Sequence, residues 1–204
     1  MCYNPAMRKI SEIINSAKKK LEKPRVLYHG SDVKVTVLKP AWNFNNRQTK
    51  KIRGVFATDF ERAKMFAIYS AFKGEGFGNL SSRNKTMLVE NIKETIGEEF
   101  YIYTVDAGGF VLDDSKPEVG EYYIENKDVK IKDMQVFDTA AEIKKAGWRI
   151  YRLVREDEFL RLEGTDEESN NVKARRTGKD REIDIIGRIA AQRAARMQKS
   201  NQRT

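Results

Sequence analysis

Cysteine is almost absent from this chain: Cys2 is the only one among 204 residues. No disulfide can form within the chain, and the common zinc-binding cysteine spacings are missing. No metal site is therefore expected. Histidine is equally scarce, with His29 standing alone. Long apolar runs are missing too. No stretch approaches the roughly 20 apolar residues of a membrane span. The lysine-rich N-terminus lacks the continuous apolar run of a signal peptide. These absences lead to the expectation of a soluble, cytoplasmic protein without a transmembrane segment. Delivery as an effector or virion protein stays open, and no internal repeat is present.

Hydrophobic residues make up 40% of the chain and aromatics 10%, enough for a packed core. The length suits one domain with terminal extensions. Charged residues reach 34%, with a formal net charge of +9. A basic balance suggests an anionic partner: nucleotide, nucleic acid, acidic protein or anionic membrane. It does not choose among them.

Residues 6–23 carry Ile10, Ile13, Ile14, Ala17 and Leu21 at helical spacing, and Pro24 stops them. An N-terminal helix is expected over residues 1–24. Short strands are expected at residues 25–29, 33–38, 54–58, 100–105, 110–112, 121–124, 129–134 and 148–154. Residues 39–53, with Trp42 and Phe44 among polar and basic neighbours, read as a loop. Asp59 reads as the cap of a helix running to Phe72. Gly74, Gly76 and Gly78 mark a flexible loop. They form no dinucleotide-binding motif, because no strand leads into them. Residues 84–95 read as helical, with a strand at 86–89 as the alternative. A short helix at 139–146 ends at Gly147. Residues 164–180 are polar and charged and suit a linker. Residues 181–199 form a basic helix with an apolar stripe that includes Ile183, Ile186 and Ala194. Short strands mixed with short helices indicate an α+β domain.

Tyr28-His29-Gly30-Ser31 ends the first strand with a glycine that lets a ligand approach the backbone. Gly54-Val55-Phe56-Ala57-Thr58-Asp59 leads into the capped helix, which carries Phe66 and Tyr69. Gly120-Glu121-Tyr122-Tyr123-Ile124 opens a later strand with a glutamate. In this order and spacing, the three pieces resemble the ADP-ribosyltransferase superfamily, in its diphtheria-toxin and poly(ADP-ribose) polymerase class. The resemblance covers roughly residues 25–155 and neither terminal helix. The arginine-modifying toxin class fits poorly: Ser81-Ser82 matches weakly, and no Glu-x-Glu stands beside Glu121. Glu121 also argues against the RNA 2′-phosphotransferase relatives.

The resemblance implies a split β-sheet core with flanking helices, extended by helices at both termini. The catalytic domain would span residues 25–163, and residues 164–204 would hold the linker and basic helix. It implies NAD+ as substrate and mono-ADP-ribosylation of a protein or nucleic-acid acceptor. Glu121 would stabilise the ribose cation as the catalytic group. His29 would donate a hydrogen bond to the adenosine ribose. The backbone of Gly30 would hold the nicotinamide carboxamide, and Ser31 would add a hydroxyl contact. Tyr28 and Ala57 belong to the same binding motifs. Phe56 would form one wall, and either Phe66 or Tyr69 would stack on nicotinamide. A non-catalytic nucleotide- or nucleic-acid-binding module, and an NAD+ glycohydrolase, remain as alternatives. The C-terminal helix could contact nucleic acid or another protein.

Overall fold

The computed structural model describes residues 24–44, 50–75, 78–82, 84–115, 117–152 and 181–201. The helix expected at residues 6–23 and the linker at 164–180 lie outside them. The described part is mixed α+β, mostly strands, with three helices. A first antiparallel sheet runs in the order β1 (Val26–Ser31), β7 (Glu99–Asp106), β10 (Val129–Asp138), β2 (Val37–Leu38). A second runs β3 (Ala41–Phe44), β4 (Lys51–Ala57), β9 (Tyr122–Glu125), β8 (Val111–Leu112). A third runs β12 (Arg181–Glu182), β11 (Arg149–Arg152), β6 (Thr86–Val89), β5 (Gly78–Ser81). In it, β11 and β6 are parallel.

Strand alternation divides the interior in two. Phe100 and Ile102 of β7 join a cluster with Ala63, Ala67, Phe72, Met87 and Ile150. Tyr103 and Val105 join the second, with Leu27, Val55, Ala57 and Phe110. The first cluster lies under helix α1 (Phe60–Phe72). The second joins residues of the first and second sheets.

Asp59 caps α1 as expected, its carboxylate accepting the Arg62 N–H at 2.9 Å. The helix turns Ala63, Ala67 and Ala71 inward, so it lies close on β1. A Cβ built on Gly30 would stand only 2.0 Å from the Ala63 carbonyl oxygen and 2.9 Å from Ala67 Cβ. Helix α2 (Thr139–Ala146) is capped by Asp138 and ends at Gly147, which takes φ 69°. That left-handed conformation favours glycine.

Three local expectations need correction. Residues 84–95 are not a helix, and the alternative of a strand at 86–89 holds. Thr86, Met87, Leu88 and Val89 form β6, buried at all four positions. A strand covered on both faces loses the alternation that marks half-buried strands. Residues 39–53 are not simply a loop, since β3 pairs with β4 from Ala41–Gly54 to Phe44–Lys51. The glycine stretch also yields a strand, since Gly78 starts β5 and pairs with Val89.

The C-terminal helix α3 (Ile185–Asn201) packs on the same core. Ile185 and Ile189 are buried in the first cluster. The Gln192 side chain completes the backbone of Ile96: its Oε1 accepts the N–H at 2.9 Å and its Nε2 donates to the carbonyl at 3.1 Å. Arg193 donates to Glu98 at 3.2 Å and to Asp138 at 2.6 Å. Burial pushes the Asp138 carboxyl up, but the Ala141 N–H and the Arg193 guanidinium outweigh it and hold it below the usual value.

Replacing Gln192 with alanine strands the amide and carbonyl of Ile96. Urea unfolding of Gln192→Ala should show a loss of about 1–3 kcal/mol. An unchanged midpoint would mean that α3 is not held this way.

Candidate functional site

Thr58 brings the three sequence motifs together. Its backbone pairs with Tyr28 in both directions, Tyr28 N–H to Thr58 O at 2.9 Å and Thr58 N–H to Tyr28 O at 2.8 Å. Its hydroxyl donates to the Gly120 carbonyl at 2.9 Å. Thr58 is only 2% exposed, so these bonds are sheltered from water. The last pair between β4 and β9 is Ala57 with Tyr122. Thr58 and Glu121 are the next residues along that ladder. Glu121 thus stands about two strand spacings, roughly 10 Å, from the backbone of β1. Gly120 turns the chain into β9 at φ 65°, a conformation glycine adopts without strain. The half-buried Glu121 is fixed further by its own carbonyl, which accepts the Asp113 N–H at 2.8 Å.

His29 lies opposite Tyr103 in the ladder between β1 and β7, their rings 6.4 Å apart. Its Nδ1 is 2.7 Å from the Phe56 carbonyl oxygen. A carbonyl only accepts, so Nδ1 carries the proton. Burial lowers the pKa of the imidazole, and the Phe56 hydrogen bond offsets this only in part. The neutral ring therefore presents Nε2 as an acceptor. The expectation that His29 donates to a ribose hydroxyl is thus reversed: the hydroxyl would donate to Nε2.

Gly30 offers a pair of backbone groups. Tyr28 directs its N–H and C=O away from β7, toward Thr58. Residues two apart point the same way along a strand, so Gly30 directs its own N–H and C=O to that outer edge. One donor and one acceptor stand there side by side. Ser31 is half-buried, and its Oγ accepts the Val33 N–H at 3.1 Å in a local turn. The Tyr28 ring packs edge-on against Phe60 at 5.2 Å. Ala57 is 2% exposed and belongs to the second cluster. The Phe56 ring lies 5.8 Å from that of Tyr123, a partner that the sequence reading did not single out.

The two aromatics of α1 expected to face nicotinamide, Phe66 and Tyr69, differ in their surroundings. The Tyr69 hydroxyl donates to the Leu88 carbonyl at 3.1 Å, and its ring meets Phe72 edge-on at 5.8 Å. Burial raises its pKa well above the ordinary tyrosine value. It ties α1 to β6. Phe66 is half-buried and follows Ala63 by three residues, so it shares the side of α1 that meets Gly30. It belongs to neither hydrophobic cluster.

Among the described residues, no group of three or more His, Cys, Asp or Glu side chains could hold a metal ion. No described helix is long and apolar enough to cross a membrane. On α3, Arg193 and Arg196 are committed to Glu98 and Asp138.

The site yields two expectations. Gly30→Ala forces α1 off β1 and should cost about 1–3 kcal/mol, read by denaturant unfolding. The folded chain takes up a proton on His29 at lower pH than the unfolded chain, which does so below about pH 6.5. The unfolded state then binds more protons, so stability falls as pH drops from 7 to 5. His29→Gln should remove this part of the decline, and equal melting-temperature profiles for both proteins would contradict the assignment. Comparison with protein-family models, curated proteins and solved structures found no match to this chain.

Proposed function

We propose that this domain binds NAD+ and transfers its ADP-ribose group to a protein or nucleic-acid acceptor, releasing nicotinamide. The observation that carries this reading is the Thr58 junction. It gathers the outer edge of Gly30, the His29 ring and Glu121 around one end of β4. The finer fold assignment, an ADP-ribosyltransferase-like pair of sheets, belongs to the same proposal.

The chemistry follows from the groups present. A carboxamide needs one donor and one acceptor, which the Gly30 backbone provides. The nicotinamide ring of NAD+ is cationic, so an aromatic face attracts it. Phe66 fits that role better than Tyr69, whose ring and hydroxyl are used against Phe72 and β6. Nε2 of His29 accepts from a ribose hydroxyl. As the bond between nicotinamide and ribose breaks, the electron pair leaves with nicotinamide and the ribose becomes oxocarbenium-like. The Glu121 carboxylate stabilises this positive charge before the acceptor nucleophile attacks and loses its proton.

The test uses NAD+ labelled in its adenylate part, with candidate acceptors and detection of free nicotinamide. Glu121→Gln should lower turnover by about 100- to 1000-fold, with NAD+ affinity largely kept. Phe66→Ala should weaken NAD+ binding by roughly tenfold, whereas Tyr69→Phe should leave it unchanged. A wild-type protein that neither binds NAD+ nor releases nicotinamide would refute the proposal.

A further inference from the structure

Around α1 from Phe66 lies a separate cleft of about 210 Å³. Met65, Ile68 and Trp148 give it an apolar lining, and it carries charge of both signs, Arg62 and Lys85 against Asp59 and Glu61. Three observations mark it as a site for a ligand. First, Arg62 Nη1 is buried without a hydrogen-bond partner. A guanidinium nitrogen in that state is costly until an acceptor reaches it. Second, Lys85 takes φ 51°, which a residue with a Cβ rarely adopts. Its carbonyl accepts the Arg149 N–H at 2.9 Å, which fixes the turn there. Third, this turn places the Lys85 ammonium over the Trp148 ring, 5.1 Å from its centroid. A cation thus covers an aromatic face that borders an open cleft.

We infer that this cleft binds a nucleotide unit, stacking its base on Trp148 and taking its phosphate between Arg62 and Lys85. The volume suits one planar ring system rather than a whole dinucleotide. An entering base displaces the Lys85 ammonium from the indole, and the flexible lysine stem lets it follow the phosphate. Glu61 at the rim accepts from an exocyclic amino group on the base, as carboxylates do for cytosine. The ligand chemistry is the same for a free mononucleotide and for one nucleotide of a single-stranded chain. The site does not depend on the NAD+ reading, since none of its residues takes part there.

The chain has two tryptophans, and Trp42 is 63% exposed. In the full chain carrying Trp42→Phe, fluorescence reports Trp148 alone. This protein is titrated with adenosine monophosphate, with an eight-nucleotide single-stranded RNA, and with inorganic phosphate. Calorimetry on the unsubstituted chain provides a second reading of the same equilibria. Saturable quenching by either nucleotide form is expected, weakened at least tenfold by Arg62→Gln and by Lys85→Asn. Asparagine is chosen because it tolerates positive φ. Binding of both forms with similar affinity identifies a free-nucleotide site. Binding of the RNA alone, with a strong dependence on salt, identifies a nucleic-acid site. The inference is overturned if neither form gives a saturable change. It is also overturned if both substitutions leave binding intact, or if inorganic phosphate alone reproduces the response. Phe66→Ala, which weakens NAD+ binding, should not alter these titrations, so binding in this cleft is separable from binding at the NAD+ site.

Discussion

Thr58 closes β4 between two strands that the chain supplies from far apart. On one side its backbone pairs with Tyr28, and on the other its hydroxyl reaches Gly120. The adjacent Phe56 carbonyl holds His29. Loss of the hydroxyl would leave the Gly120 carbonyl without this donor, and a buried orphan acceptor costs about 1–3 kcal/mol. A valine of the same shape would therefore keep the packing but loosen the entry to Glu121. The arrangement also limits β1. With Tyr28 spent on Thr58, Gly30 is the next residue whose amide and carbonyl face outward. The placement of one buried threonine thus determines which backbone groups can meet a ligand.

Much of this frame was legible in the sequence because the signals were local. Asp59 before a run with Ala63 and Ala67 announced α1, and Gly147 announced the end of α2. The order of the three motifs also brought His29, Phe56 and Glu121 onto plausible elements. What the sequence did not reveal was non-local. The run 86–89 has no periodicity, because it is covered by neighbours distant in sequence. The hydrogen that His29 places on Nδ1 depends on a carbonyl 27 residues away. Tyr69 and Phe66 occupy similar helical positions on paper. Only the approach of Leu88 separates them.

Gly30 illustrates how one residue answers two demands. A glycine at the end of a strand suggested close approach by a ligand. The missing side chain is in fact filled by α1, whose Ala63 carbonyl would meet any Cβ at 2.0 Å. The two readings do not compete, because they concern different directions. The Cβ direction faces the helix, while the amide and carbonyl lie in the plane of the sheet. Packing against α1 accounts for the glycine, and the proposed ligand contact uses another direction, which is why residue type alone could not separate them.

Ion pairs inside the fold leave the net charge of +9 unchanged, since each uses one charge of either sign, but they show which cations are already engaged. Arg193 and Arg196 on α3 bind Glu98 and Asp138, and Lys64 of α1 pairs with Glu142 of α2. Arg149 forms a double contact with Glu182. These cations hold elements together, so Arg193 and Arg196 of the basic C-terminal helix are spent within the fold. An anionic partner would be better served by cations that border a cleft and an aromatic face. Arg62 and Lys85 meet that condition beside Trp148. Excess charge in the composition thus points to a partner only after the internal pairs are removed. Of these two, Arg62 is carried by α1, the same helix that borders Gly30.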